Sequence, residues 1–393
     1  MHRAAVHWLT SARLRVYPRI MLILFVGTML VILLRWSSGN SSARLPFSDF
    51  SVYWLASYLA LKGQASAVFE ATSFCGPLQE LVPASACGYP WLYPPGFYLF
   101  IVPLAWMPYW ISYLGFMGGS IAAYVFTMRR IIQGELAMWC LAAFPGLWMN
   151  IFSGQNGCWT AALAGGALIN LERRPVLSGL LIGSLSIKPH LALLFPVALL
   201  AAGSWRTFFA AAAAAVTWLA AALWILGTGT LEGWWLGLAT GREMLEQTDV
   251  VRMMPTVFAF LRLSGFSVMS AYLGHFLFAG IALLSVWSIW RRNQPSSLKF
   301  AALITATLLI SPYLLEYDLA WLALPIAWMT QQGLQTGWRR WEREILVATW
   351  LAPLLCIALA KACSIQLGAG VLLALLWMIV RRSNEPGQRS GES

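Results

Sequence analysis

Long apolar runs alternate with short basic turns along almost the whole chain, and the run lengths predict membrane-spanning or re-entrant helices. The apolar segments are Ile20 to Trp36, Tyr109 to Met128, Leu136 to Phe152, Trp159 to Leu171 and Phe208 to Leu226, followed by Tyr272 to Trp290, Phe300 to Leu315, Leu319 to Met329, Ile345 to Leu359 and Leu367 to Val380. A shorter run, Phe97 to Trp106, follows Tyr93-Pro94-Pro95-Gly96. Three crossings do not fit between Pro95 and Arg129 at about 17 to 25 residues each. Either one of the two runs there is re-entrant, or Arg129-Arg130 lies on the outer side. Leu177 to Ile187 and Leu191 to Ala202 flank Lys188-Pro189-His190 between two basic turns, too close together for two full crossings. Two half-helices broken at Lys188-Pro189 fit this spacing, and such breaks are tolerated where they line a water-filled cavity. The pattern amounts to about 11 to 13 transmembrane or re-entrant segments, with no fixed-period repeat.

Two stretches are too polar to span and are read as outer loops, at about residues 37–95 and 227–270. The first contains Ser48-Asp49-Phe50-Ser51-Val52-Tyr53-Trp54. Ser48 suits an N-cap and Asp49 the first turn of a helix, because the exposed N–H groups there favour an acid. Phe50, Trp54, Ser57 and Leu61 recur at helical spacing, which predicts an interfacial helix along the membrane surface. Tyr53, Trp54, Tyr58, Tyr89, Trp91 and Tyr93 suit that interface. Asp49 is then either a helix cap or a general base at the outer surface.

Composition agrees with the pattern. The chain of 393 residues is 59% hydrophobic and 10% charged, and its mean hydropathy is +0.68. A soluble protein of this size carries more surface charge, and a transmembrane barrel shows short alternating segments. The fold class is therefore an all-α polytopic membrane protein. The net charge of +11 is gathered in clusters such as Arg129-Arg130, Arg173-Arg174, Arg291-Arg292, Arg339-Arg340 and Arg381-Arg382. Basic turns of this kind face the cytoplasm. Residues 1–19 are expected as a cytoplasmic N-terminus, 20–380 as one transmembrane domain and 381–393 as a disordered cytoplasmic tail. The basic lead before Ile20 to Leu34 is read as preceding a retained helix rather than a cleaved signal. No soluble basic domain is present, so nucleic acid is not an expected partner.

Of the six cysteines, Cys140, Cys158 and Cys356 lie in apolar runs and read as packing residues. Cys75 and Cys87 lie together in the first outer loop, and pair or stay reduced according to the compartment. No His/Cys cluster has structural-metal spacing.

Polar residues at membrane depth are costly, so each is a candidate for function. Lys188 is the foremost: its ammonium needs an anionic partner, either a carboxylate of the chain or a lipid phosphate, unless it snorkels to the surface. His190 beside it is a second phosphate contact or a packed core residue. Gln155 and Asn156 bind sugar hydroxyls or cap a turn. Glu316, Tyr317 and Asp318 break an apolar run after Ser311-Pro312; they are interfacial, or they line a cavity with Asp49, and the cavity is favoured for Asp318. Arg242 and Arg252 steer phosphate or form a solvated face. Tyr93 belongs to the aromatic belt or contacts substrate. There is no Walker motif and no GxGxxG after a strand, so the energy for a reaction must arrive in the substrate, and no cofactor is expected.

Taken together, Asp49-Phe50-x-x-Tyr53-Trp54-x-Ala56 with Gly63, Tyr93-Pro94-Pro95 with Pro103-Leu104, Gly154-Gln155-Asn156, Gly179-x-x-x-Gly183 before Lys188-Pro189, and Leu309-Ile310-Ser311-Pro312 before Tyr317-Asp318-Leu319 and Pro325 resemble glycosyltransferase family 87. The resemblance implies a type C glycosyltransferase fold and a polyprenyl-phosphate sugar as donor. It implies Asp49 as catalytic base on an acceptor hydroxyl, Lys188 neutralising the donor phosphate, and inverting transfer with the lipid phosphate as leaving group. Tyr93, Gln155, Asn156, His190, Tyr317, Asp318, Arg242 and Arg252 are the further substrate-binding candidates. The expected sugar is a mannose-like hexose, the acceptor a lipid or glycan, and the location the plasma membrane, with the site facing the periplasm or exterior. No metal ligands are assigned, and Lys or Arg alone can neutralise a phosphate leaving group, which leaves the part of a divalent metal open. One departure is Glu316-Tyr317-Asp318, where a histidine is expected. The competing readings are a secondary transporter or lipid flippase, and a polysaccharide ligase or polymerase using a lipid-pyrophosphate glycan.

Overall fold

A computed structural model describes residues 7–38, 48–70, 76–77, 80–81 and 91–385. Every regular element among them is helical. Among the described residues, six helices are long and apolar enough to cross a membrane: Ser11–Ser37, Tyr109–Ile131, Glu135–Ser153, Trp205–Leu226, Val268–Arg291 and Glu342–Cys363. Shorter apolar helices, Pro95–Trp106, Pro175–Ile187, Pro189–Ala201 and Ser296–Ile310, lie between them. The protein is an all-α polytopic membrane protein.

Local chemistry explains where the helices break. Pro145 interrupts the third long helix, giving Glu135–Ala142 and Pro145–Ser153, because proline offers no N–H to the preceding turn. Pro95–Ile101 is α-helical and Val102–Trp106 continues as a 3-10 helix. At about 1.5 and 2.0 Å per residue the pair reaches only about 20 Å, short of the roughly 30 Å hydrocarbon core. Tyr109–Ile131 is long enough to cross. Of the two runs in this region only the second has the length of a full crossing, and Arg129-Arg130 lie in its last turn.

The expected break at Lys188-Pro189 is present. Pro175–Ser184 tightens into a 3-10 turn, Leu185–Ile187, and Lys188 sits between it and a second 3-10 turn, Pro189–Leu191, before Leu194–Ala201. Pro175–Ser184 packs hard against Trp205–Leu226. A Cβ added at Gly179 would lie 2.5 Å from Ala210 Cβ, and one at Gly183 would lie 2.4 Å from Ala214 Cβ and 2.6 Å from the Ala211 carbonyl oxygen. Without a hydrophobic drive between helices in lipid, such close approach supplies the packing energy. Gly183→Leu is expected to destabilise the protein by about 1–3 kcal/mol or more, because backbone cannot retreat from the new side chain. Thermal unfolding in detergent measures this against Gly280→Ala, where the space is open; equal midpoints would remove the packing role.

The largest core cluster surrounds Ser296–Ile310, which is buried on nearly all sides. Its sequence is accordingly apolar all round. By contrast, few residues of Ser11–Ser37 and Trp205–Leu226 are buried, and their exposed Leu, Ile and Trp side chains face outward.

A second cluster forms around the Asp49 helix, Ser48–Leu61. It opens at Ser48 itself, one residue earlier than a Ser48 cap predicts. Its buried residues are Phe50, Ser51, Tyr53, Leu55, Ala56, Ser57 and Leu59, not the predicted stripe. Leu61 is 45% exposed, and Trp54 is half-buried with its Nε1 donating to the Met107 carbonyl at 3.0 Å. The reason is that the helix is packed on several sides, by Pro95–Trp106, Tyr109–Ile131 and Pro145–Ser153. Ser57 fastens it: its hydroxyl donates to the Val102 carbonyl at 2.7 Å and accepts from the Ala105 N–H at 3.0 Å. Trp91, expected at the interface, is buried against Tyr53, Tyr93 and Tyr98.

The second polar stretch folds into Gly229–Leu245, Thr248–Val251 and Val257–Leu263. Trp234 Nε1 donates to the Leu92 carbonyl at 3.0 Å and Thr256 Oγ1 to the Pro312 carbonyl at 3.1 Å, which ties this stretch to both ends of the site described below. The last helix, Gly368–Asn384, runs past the expected boundary at 381. Arg382 is buried there, donating to Glu342 Oε2 at 2.6 Å and to the Gly337 carbonyl at 2.8 Å. One member of a basic turn is thus a core ion-pair residue. Cys158 and Cys356 are buried and free, and Cys140 is half-buried and free. Cys75, Cys87 and Tyr89 lie outside the described residues.

Candidate active site

Asp49 occupies the first turn of its helix, and the Gln155 amide donates to its Oδ2 at 2.9 Å. Gln155 and Asn156 are presented by a sharp turn between Pro145–Ser153 and Gly157–Asn170. Gly157 lets that turn seat closely. A Cβ there would lie 2.5 Å from the Tyr317 carbonyl oxygen and 2.6 Å from Asn150 Oδ1. Asn150 itself donates to the Tyr317 carbonyl at 2.7 Å. The turn is therefore locked to the 3-10 helix Glu316–Leu322, which Trp321 and Tyr124 also hold, through Thr160 Oγ1 at 2.9 Å and the Ala320 carbonyl at 2.7 Å.

Asn156 stands at the N-cap position of Gly157–Asn170, but its side chain does not cap. It donates to the Tyr93 hydroxyl at 3.2 Å and accepts from Lys188 Nζ at 3.4 Å. The Tyr93 and Tyr53 hydroxyls are 2.6 Å apart, and both donate to Gln155 Oε1, Tyr93 at 3.2 Å. With its oxygen held by two hydroxyls, the Gln155 amide is fixed with its N–H toward Asp49.

Lys188 is 5% exposed, so it does not snorkel. Its Nζ lies 2.5 Å from Asp318 Oδ1 and 4.5 Å from the centre of the Tyr317 ring. Lys188 thus has a carboxylate partner within the chain. His190 Nε2 is 3.8 Å from Asp318 Oδ2, beyond hydrogen-bond reach, and has no hydrogen-bond partner. The result is one continuous polar chain: Asp49, Gln155, Tyr93, Asn156, Lys188, Asp318. Residues from five separated parts of the sequence meet in it.

Arg242 and Arg252 are not part of this chain. Arg242 Nε pairs with Glu246 Oε1 at 3.0 Å, and Arg252 Nη1 with Asp249 Oδ1 at 3.2 Å, both within the second polar stretch. Glu246 also accepts from the Tyr272 hydroxyl at 2.6 Å. Burial opposes its charge, but the Tyr272 and Arg242 hydrogen bonds outweigh burial and hold its carboxyl below the usual range.

The sequence pattern gave Asn150 no role, placed Tyr53 among the interfacial aromatics, and left Glu316 between the interface and a cavity shared with Asp49. Tyr53 follows Asp49 by one helical turn, a spacing that places both on one face. Asn150 precedes the Gln155 turn by one turn of helix, but its acceptor, the Tyr317 carbonyl, is distant in sequence. Glu316 is 9% exposed, and its Oε2 is buried with no hydrogen-bond partner. No group of three or more His, Cys, Asp or Glu suited to a metal ion occurs among the described residues.

Within the helical bundle, an acid at a helix start is thus joined to a buried lysine through one hydrogen-bonded path. The model of glycosyltransferase family 87 matches residues 91–312, more than half of the chain, and the chain belongs to that family. It is therefore a membrane glycosyltransferase. No curated protein and no solved structure matches the chain significantly. The matched span contains Tyr93, Gln155, Asn156, Lys188 and His190, while Asp49 precedes it and Glu316 to Asp318 follow it.

Proposed function

We propose that the protein transfers a sugar from a polyprenyl-phosphate donor to a hydroxyl of a lipid or glycan acceptor at the outer face of the membrane. Asp49 takes the acceptor proton as the new bond forms at the anomeric carbon. The bond from that carbon to the phosphate oxygen breaks, and polyprenyl phosphate leaves as an anion. Attack opposite the leaving group inverts the anomeric centre and needs one base rather than two carboxylates. The sugar is a mannose-like hexose.

The reading rests on the unbroken hydrogen-bonded path from Asp49 to Lys188. An ammonium has three N–H donors. Those of Lys188 reach Asp318 and Asn156, leaving one for a phosphate oxygen. His190 Nε2, without a hydrogen-bond partner, is the second phosphate contact. Charge-assisted bonds to the departing phosphate strengthen as its negative charge grows, which is what lowers a barrier rather than a binding constant.

The test uses purified protein in lipid nanodiscs with a panel of polyprenyl-phosphate sugars and a hydroxylated acceptor. The expected result is consumption of one donor with equimolar release of polyprenyl phosphate and a glycosylated acceptor. Consumption of a lipid-pyrophosphate glycan instead would favour the polymerase reading, and inert uptake into vesicles the transporter.

A further inference from the structure

The Gln155 amide is gripped at both ends by one face of one helix. Asp49 and Tyr53 stand four residues apart on Ser48–Leu61, so their side chains are neighbours. Gln155 Nε2 donates to Asp49 Oδ2 at 2.9 Å, and the Tyr53 hydroxyl donates to Gln155 Oε1. Which end is which follows from groups that bond in one direction only. An ionised carboxylate accepts and never donates, so it faces the amide nitrogen. A backbone N–H donates and never accepts, and that of Asn156 lies 3.4 Å from the other end, which is therefore the oxygen. The Tyr93 hydroxyl donates to the same oxygen at 3.2 Å. Three donors crowd an oxygen that has two lone pairs, and Gln155 is 6% exposed. The carbonyl end has nothing left with which to accept from a sugar hydroxyl.

We propose that Gln155 is the positioning residue of Asp49: held by the Tyr53 hydroxyl, it fixes the direction of the carboxylate that takes the acceptor proton, and it is not a sugar contact. The inference rests on the assignment of Asp49 as base. An aspartate side chain turns about two bonds, and the outer torsion is broad. A base works only when it is held within about 10–20° of its productive direction. Tyr53 supplies the fixed point. It is 1% exposed, and its ring lies edge-on to Phe50, Trp91, Phe97 and Phe116. Its hydroxyl therefore has one place to be, and the amide passes that restraint to Asp49.

The experiment measures kcat and both KM values in nanodiscs, with the polyprenyl-phosphate sugar and the hydroxylated acceptor that wild type uses in the panel above. Gln155→Met keeps the length of the side chain and loses both of its hydrogen bonds. It should lower kcat about 10–100-fold, the scale of a lost hydrogen bond to a charged group, with donor and acceptor KM unchanged. Added to Asp49→Asn, the same substitution should lower the residual rate no further, because no base is left to aim. Tyr53→Phe keeps the packed ring and loses only the hydroxyl. It should lower kcat by a smaller factor, again only where Asp49 is present, and it carries the test if Gln155→Met does not fold. An unaltered kcat in whichever variant folds would overturn the proposal, as would a loss that appears as a raised donor or acceptor KM, which marks a substrate contact. The same fractional loss on Asp49→Asn as on wild type would also overturn it, since that marks a structural residue. If Asp49→Asn alone transfers as fast as wild type, the assignment of the base falls, and this one with it. If wild type consumes no polyprenyl-phosphate sugar, both fall with the assignment of the reaction.

Discussion

Asp49→Asn is expected to lower the transfer rate by about 10²–10⁴-fold, the range removed when a positioned general base is lost. The substitution keeps the side chain's shape and can still accept from the Gln155 amide, so the variant should remain folded and monodisperse. Donor binding should be unchanged, because the phosphate contacts lie at the other end of the polar path. Initial rates with saturating donor, together with an unfolding curve, separate the loss of a base from loss of fold. A rate within a few-fold of wild type would leave Asp49 as a helix cap.

Lys188→Met should have two separable effects. It leaves Asp318, 1% exposed, as a buried charge without its counter-ion. Breaking one side of such a pair costs about 3–5 kcal/mol, whereas replacing both partners by apolar groups is often close to neutral. The double variant Lys188→Met with Asp318→Leu should therefore regain stability. It should not regain donor use, since the phosphate contact is still missing. Unfolding midpoints and donor KM measured across the cycle test this directly. If the double variant recovers both, Lys188 is a structural residue only.

The sequence revealed elements whose cause is local. Pro189 takes a backbone N–H out of its turn, which marks the break beside Lys188, and the span from Pro95 to Arg129 is visibly too short for three crossings. Asp49 was legible as an acid in a first helical turn. What remained hidden depends on packing between distant segments. The Asp49 helix lacks its predicted single apolar stripe because neighbours from residues 95–153 cover it on several sides. Asn156 looked equally able to cap its helix, and only the approach of Tyr93 and Lys188 decides its hydrogen bonds. Lys188 was legible as needing an anion, but not that Asp318, 130 residues away, would provide one. Arg242 and Arg252 were candidates by charge alone; helical neighbours Glu246 and Asp249 take them up first. Arg382 reads as part of a cytoplasmic basic turn, yet Glu342 draws it into the core.

A structure of the wild-type protein with a polyprenyl-phosphonate sugar, which binds but cannot react, tests the shared site most directly. The account predicts the phosphonate within hydrogen-bond distance of Lys188 and His190, with the anomeric carbon turned toward Asp49. A phosphonate seated on Arg242 and Arg252, or a sugar ring facing away from Asp49, would contradict it.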